Sequence, residues 1–136
     1  MLKNKKGFTL IELVMVIVIL AILAAVAVPR FIDLKSDAQI STAKGIGGAI
    51  AGAANIMHAQ WLLKSTVYQL GDTSAPTDTG ILYNANISGA TVTANVTTPT
   101  VDGTTATIYI NVSGNTYTLT YTAGSTTRGP RIDYGF

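Results

Sequence analysis

The side chain with the most unusual placement in this 136-residue sequence is the carboxylate of Glu12. It lies at the start of an apolar run in which Leu13 to Val28 contains no polar residue. A charged group at the centre of a membrane helix costs about 2.5–3.5 kcal/mol on translocon-insertion scales. An acid placed there indicates a function, and we expect that function to be pairing with a cation in an apolar medium.

Few other residues could perform catalysis or bind a metal. Glu12 is the only glutamate, His58 is the only histidine, there is no cysteine, and charged residues make up 12% of the chain. A lone histidine supplies no metal site, so we interpret His58 as a packed or capped helix residue. The absence of cysteine excludes disulfides, thiolate metal sites and cysteine nucleophiles. The sequence therefore predicts no enzyme, no metal and no cofactor.

The element that positions Glu12 is predicted to be a membrane-length helix. Phe8 to Val28 is a segment of 21 residues in which only Thr9 and Glu12 are polar. At about 1.5 Å per residue it is roughly 31 Å long, enough to span a bilayer core. Three lysines precede it and Arg30 follows it, which by the positive-inside rule predicts a single pass with a cytoplasmic N-terminus.

The residues around Glu12 resemble a known processing motif. The match is carried by Lys6-Gly7-Phe8-Thr9-Leu10-Ile11-Glu12-Leu13-Val14. This stretch resembles the junction of type IVa prepilins with a class III leader peptide, and that of the related type II secretion pseudopilins. The stretch from Ser36 through the following glycines resembles the mannose-sensitive haemagglutinin branch of type IV pilins. The resemblance implies that a prepilin peptidase cleaves after Gly7 and N-methylates Phe8.

The resemblance also implies that Glu12 serves filament assembly. On a helix Glu12 lies four residues after Phe8, so its carboxylate and the new α-amine share a face. The carboxylate would pair with the Phe8 amine of a neighbouring subunit, and the alternatives are its own amine or a protonated acid. A conventional signal peptide or anchor, with Ala25-Val26-Ala27 as the small-residue site, leaves Glu12 without a role.

The fold class predicted is α+β, a long N-terminal helix packed on an antiparallel sheet of three or four strands. Pro29 is expected to kink the helix. Beyond it, apolar residues recur at intervals of three and four, and they are Ala43, Ile46, Ile50, Ala53 or Ala54, Met57 and Trp61. The expected organisation is a leader at 1–7, a hydrophobic transmembrane and assembly helix at 8–29 and a head at 30–136, the head comprising an amphipathic helix at 30–64, an exposed loop at 65–89 and the sheet at 90–136.

Period-two patterning predicts the strands. Three β-branched or aromatic runs occupy 90–97, 106–112 and 116–122, and Gly114-Asn115 suits a tight hairpin between the last two. In the third run the apolar residues alternate with threonines, so we expect the threonine face to be exposed. The tail from Arg128 is expected to dock on the sheet.

A glycine-rich stretch interrupts the second half of the helix, from Gly45 to Ala54. A phosphate-binding loop is not favoured, because no strand precedes it and no Gly-Lys-Ser/Thr follows. Gly48 and Gly52 form a small-xxx-small pair, which predicts close packing against a strand, the sheet or a neighbouring helix.

The charge balance gives no support for nucleic-acid binding. The chain has nine bases and seven acids, and removal of the three leader lysines leaves six bases against seven acids.

The function implied is that of a structural subunit of a type IV pilus for adhesion or motility. The implied partners are further copies of the chain, prepilin peptidase, an inner-membrane platform protein, an assembly ATPase and an outer-membrane secretin. The subunit would reside in the inner membrane before assembly and in an extracellular filament afterwards. One alternative is a type II secretion pseudopilin, although no acidic cluster near Asp102 or Asp133 suggests the calcium site usual in those proteins. Another is a membrane-anchored binding module that never polymerises.

Overall fold

The computed structural model describes residues 7–65, 67–71, 80–95 and 103–136, and it has two helices and one sheet there. Helix α1 spans Leu10–Lys64 and the short helix α2 spans Ile81–Asn84. The strands are β1 Thr91–Ala94, β2 Thr105–Val112, β3 Asn115–Thr122 and β4 Arg131–Tyr134. They form one antiparallel sheet in the order β1-β2-β3-β4. The predicted α+β class, with a long N-terminal helix and a four-stranded sheet, is confirmed.

The chain divides into two compact units, one ending at Asp37 and the other running from Ala38 to Phe136. In the first unit every described residue is exposed, including the whole apolar run. Its helix is long and apolar enough to cross a membrane, and the most apolar 18-residue window has no buried share. Pro29 lies inside α1, which continues on both sides of it, so the proline does not end the helix.

The core of the second unit lies between one face of α1 and one face of the sheet. The α1 residues buried there are Gln39, Ala43, Ile46, Gly47, Ile50, Ala53, Ala54, Met57 and His58. Their spacing of three and four places them on a single helical face, as predicted, and Trp61 is partly buried at its end. The main sheet residues they meet are Val92, Ala106, Ile108, Ile110, Val112, Leu119 and Tyr121.

The strand faces alternate as the sequence predicts. Leu119 and Tyr121 are fully buried, whereas Thr116, Thr118 and Thr120 are exposed. Successive side chains of a strand point to opposite faces, so burying the apolar set exposes the threonines.

The hairpin between β2 and β3 differs by one residue from the prediction. Val112 pairs with Asn115, so the loop consists of Ser113 and Gly114. Their φ angles of 51° and 91° are both positive, as a type I′ turn requires. Asn115 belongs to the strand instead, where its side-chain amide donates to Gln39 Oε1 at 2.7 Å.

The segment predicted as an exposed loop at 65–89 contains buried residues. Tyr68, Leu70, Ile81 and Leu82 each have at most 1% of their surface exposed. The Ile81 and Leu82 amides donate to the carbonyls of Gln69 and Leu70, both at 2.9 Å. The apolar residues on either side of the turn-rich stretch thus join the core; residues 72–79 of that stretch lie outside the described residues.

The C-terminal tail docks on the sheet, as predicted. Strand β4 pairs with β3, with Tyr134 opposite Leu119 and Ile132 opposite Tyr121. The Gly135 amide donates to the Thr118 carbonyl at 3.1 Å. Because β4 is the last strand in the order, the tail forms one edge of the sheet.

Candidate functional site

The first turn of α1 is closed by reciprocal hydrogen bonds between Thr9 and Glu12. The Thr9 amide donates to Glu12 Oε2 at 2.8 Å, and the Thr9 hydroxyl donates to the same oxygen at 2.7 Å. In the other direction, the Glu12 amide lies 3.3 Å from Thr9 Oγ1. This is a capping box, in which two otherwise unpaired amides at a helix start are satisfied by side chains.

The capping box leaves part of Glu12 available. Both bonds from Thr9 go to Oε2, while Oε1 has no hydrogen-bond partner among the described residues. Glu12 is exposed, and none of the ion pairs in the described part of the chain includes it. The carboxylate is therefore held in one orientation with a second oxygen free to accept from another group.

Sequence reasoning overlooked Thr9 as a functional residue. The signal was present, because Thr9-Leu10-Ile11-Glu12 matches the capping-box pattern of Ser/Thr-x-x-Glu before an apolar run. The alternatives to an intersubunit partner for Glu12 were an ion pair with the amine of its own chain and a protonated, neutral acid. The structure adds a third, the hydroxyl and amide of Thr9.

The other predicted processing residues lie immediately before the helix. Gly7 and Phe8 precede α1, which begins at Leu10, and Phe8 has 90% of its surface exposed. An ideal Cβ added to Gly7 meets no atom within 4 Å. An exposed segment outside the helix is accessible to a peptidase.

Among the glycines of α1, Gly47 is the one that packs closely against another element. A Cβ built on Gly47 would lie 2.7 Å from Tyr134 Cε1, whereas one on Gly48 or Gly52 would meet nothing within 4 Å. The tyrosine hydroxyl also donates to the Lys44 carbonyl at 3.3 Å. Gly47 therefore admits the ring of the C-terminal strand, and Gly48 and Gly52 lie on the exposed face of α1.

His58 is packed in the core, as predicted. It has 5% of its surface exposed, and its Nδ1 is 3.0 Å from the buried Tyr68 hydroxyl. Its ring centroid lies 5.3 Å from that of Trp61. The described residues contain no group of three or more histidine, cysteine, aspartate or glutamate side chains suited to a metal ion.

Comparison with known proteins places the motif and the head in one family. Residues 2–28 match the model of the prokaryotic N-terminal methylation motif. The chain is 38% identical over 122 residues to the type IV narrow pilus major component PilA5 of Thermus thermophilus. The aligned region covers 86% of this chain and 96% of that protein.

Two further relatives match over a smaller share of this chain. The type IV major pilin protein PilE1 of Neisseria gonorrhoeae is 40% identical over 77 residues, or 54% of this chain and 46% of that protein. The type II secretion system core protein G of Pseudomonas aeruginosa is 47% identical over 51 residues, or 38% of this chain and 36% of that protein. No solved structure gives a significant match.

Three structural features agree with these similarities. They are the exposed apolar helix, the Thr9–Glu12 turn that follows Gly7 and Phe8, and the antiparallel sheet of the head. The similarity to the Thermus pilus component extends over nearly the whole of both chains, so it includes the head as well as the motif. The chain belongs to the type IV pilins, a family of filament subunits related to the pseudopilins of type II secretion.

Proposed function

We propose that this chain is the structural subunit of an extracellular type IV pilus, used for adhesion or motility, and that it performs no catalysis. Prepilin peptidase cleaves after Gly7 and methylates Phe8, which leaves a helix of 8–29 for membrane storage and assembly and a head of 30–136. Before assembly the chain crosses the inner membrane once with its N-terminus in the cytoplasm. A platform protein, an assembly ATPase and a secretin complete the machinery.

The observation that carries this proposal is the combination of an uncovered apolar helix with a half-occupied carboxylate. The apolar run of α1 is exposed throughout, and its burial among copies of itself would be favourable by about 25 cal/mol per Å² of apolar surface. Glu12 Oε1 has no partner in the described part of the chain. The Phe8 amine of a second copy would neutralise the acid in that apolar environment.

Substitutions in the first turn separate the intersubunit role of Glu12 from its role in capping. Glu12→Ala removes both roles, whereas Thr9→Ala removes the hydroxyl that holds Oε2 and leaves the acid in place. We expect Glu12→Ala to be cleaved normally and to abolish surface filaments, and Thr9→Ala to retain most of them. Filaments are sheared from cells and viewed by electron microscopy. Their amount is quantified by immunoblot relative to the total amount of subunit in the cells. If both variants lose filaments equally, capping alone explains the acid.

Processing is tested by mass spectrometry of the N-terminus of the purified subunit. A chain that begins with N-methylated Phe8 supports cleavage after Gly7. Recovery of an intact Met1 would contradict both filament functions and would favour a membrane-anchored module that does not polymerise.

The related pseudopilus function remains the second candidate, because the secretion protein of Pseudomonas matches over 51 residues of this chain. The pilus function is preferred because the similarity to the Thermus pilus component extends through the head. Deletion of the gene distinguishes them: loss of surface fibres with normal protein secretion supports a pilus, and the reverse supports a pseudopilus.

The exposed glycines of α1 are proposed to admit a neighbouring copy. Gly48 and Gly52 each cost about 1 kcal/mol of helix stability relative to alanine, and no atom of the described chain packs on either. Gly48→Ala is expected to leave the head folded and to reduce the amount of sheared filament. A variant that assembled as well as the wild type would exclude close packing at this position.

A further inference from the structure

Thr9 is the residue that caps the start of α1. Its carbonyl accepts the first helical hydrogen bond, from the Leu13 amide at 3.2 Å, and the helix begins at Leu10. Its hydroxyl oxygen lies 3.3 Å from the amide of Glu12, which is the third residue of the helix. A side-chain oxygen that accepts from the amide of the second or third helical residue defines an N-cap. Thr9 therefore fixes the point at which α1 begins.

A second residue suited to the N-cap position stands two residues earlier. Glycine is about as favourable there as threonine, and that residue is Gly7. With Gly7 as the cap, the helix would begin at Phe8, and the peptide bond between the two would join its first turn. Glycine has no side-chain oxygen to accept from a helical amide, whereas the Thr9 hydroxyl makes that bond. The hydroxyl thus keeps the start of the helix at the later position.

The position of the helix start decides whether the bond between Gly7 and Phe8 is accessible. In the structure both residues lie before the helix, and Phe8 has 90% of its surface exposed. Peptidases cut at exposed segments outside regular secondary structure. We propose that Thr9 is a positioning residue for the processing step, because its hydroxyl keeps the scissile bond out of α1. This inference rests on the proposed function, in which prepilin peptidase cleaves after Gly7.

Replacing Thr9 with alanine in the full-length chain tests this role. Alanine is poor at the N-cap and favourable inside a helix, so both effects move the helix start toward Phe8. Only chains with the bond outside the helix bind the peptidase productively, and the apparent affinity falls with their fraction. We expect Thr9→Ala to raise the KM for cleavage about three-fold or more and to leave kcat unchanged. Slower cleavage still yields mature subunit, in line with the filaments expected of this variant.

The assay uses the detergent-solubilised full chain and purified prepilin peptidase. Initial rates are measured over a range of substrate concentrations, which separates KM from kcat. The product is quantified by mass spectrometry as the chain that begins at Phe8.

Further variants separate capping from recognition of the threonine itself. Thr9→Val keeps the shape of the side chain without its hydroxyl and is expected to raise KM as well. Thr9→Ser and Thr9→Asn each supply a preferred N-cap and are expected to keep the wild-type KM. The Glu12→Ala variant retains the Thr9 hydroxyl and the backbone amide from which it accepts, which is why its cleavage is expected to be normal.

The helix start is measured independently by NMR of the same detergent-solubilised chains. The Cα chemical shifts of Phe8 and of residue 9 report whether those residues are helical. We expect non-helical shifts in the wild type and in Thr9→Asn, and helical shifts in Thr9→Ala. Non-helical shifts at Phe8 in Thr9→Ala would contradict the role of the cap.

A wild-type KM for Thr9→Ala overturns the positioning role. So does a raised KM for Thr9→Asn, which would mean that the peptidase recognises threonine directly. A fall in kcat at constant KM is equally contrary, because occlusion of the bond acts on binding. Cleavage of the wild-type chain keeps the two proposals apart. If the wild type is not cut after Gly7, the proposed function fails; if it is cut and Thr9→Ala matches it, only the positioning role fails.

Discussion

Replacing Gly47 with alanine tests how tightly the C-terminal strand is packed on α1. The new Cβ would lie 2.7 Å from Tyr134 Cε1 and 3.0 Å from its hydroxyl oxygen, well inside van der Waals contact. The ring is held in place by its hydrogen bond to the Lys44 carbonyl at 3.3 Å and by an edge contact with Phe136 at 5.9 Å. It can make room for the methyl group only by giving up part of these contacts.

The magnitude follows from two opposing effects. Alanine in place of glycine favours the helix by about 1 kcal/mol. Overpacking of a fitted contact costs about 1–3 kcal/mol, so the net change is a destabilisation of about 1 kcal/mol. At Gly48 a Cβ meets nothing within 4 Å, so Gly48→Ala keeps the helical gain of about 1 kcal/mol. The free energies of unfolding of the two variants should thus change in opposite directions and differ from each other by about 2 kcal/mol.

The assay is thermal unfolding of the detergent-solubilised full chain, followed by circular dichroism. For a unit of the size of Ala38 to Phe136, about 1 kcal/mol shifts Tm by roughly 4–8 °C. Gly47→Ala should melt below the wild type and Gly48→Ala above it. A double-mutant cycle with Tyr134→Ala isolates the contact, because Gly47→Ala becomes stabilising once the ring is absent. If Gly47→Ala raises Tm as much as Gly48→Ala does, the packing argument is refuted.

Three further substitutions probe the core of the head by the same measurement. Gly124→Ala places a Cβ 2.6 Å from His58 Nδ1 and is expected to lower the free energy of unfolding by about 3 kcal/mol, and an unchanged Tm would refute it. Tyr68→Phe removes the hydroxyl 3.0 Å from the same nitrogen and should cost about 1–2 kcal/mol in chemical denaturation; a neutral result would mean that water replaces the bond. Gln39→Ala removes the acceptor of the 2.7 Å bond from Asn115 and should cost about 1–3 kcal/mol, with faster hydrogen exchange in the adjoining hairpin as the specific signature. Equal exchange in the variant and the wild type would exclude that bond as a clamp on the hairpin.

The parts of the fold that follow a strict period were predicted correctly. The α1 face that includes Ile46, Ile50 and Met57, and the alternation of Leu119 and Tyr121 with threonines, are each set by burial of one side of a regular element. The hairpin was misplaced by one residue because Ser113 takes a positive φ in place of Asn115. That choice depends on the register of two whole strands, which local turn chemistry does not fix.

The turn-rich segment after α1 shows a different limit of sequence reasoning. Its composition predicts an exposed loop, and that prediction includes the apolar Leu70 and Ile81 at its two ends. They are fully buried, because two backbone bonds hold the ends together and so place both side chains in the core. Contacts of this kind join residues far apart in sequence, and no local period records them.

The sequence alone determined the family, the processing motif and the character of both halves of α1, because those depend on residue types at fixed local spacing. It also contained the capping pattern of Thr9 and Glu12, since a helix start is a local structure. The tertiary structure decided which glycine is packed. Gly47, Gly48 and Gly52 are alike in sequence, and only the position of Tyr134 on the returning strand makes Gly47 the one against which a side chain lies. The same structure showed that Gly48, Gly52 and one oxygen of Glu12 have no partner within the described chain, because all three lie on exposed parts of α1.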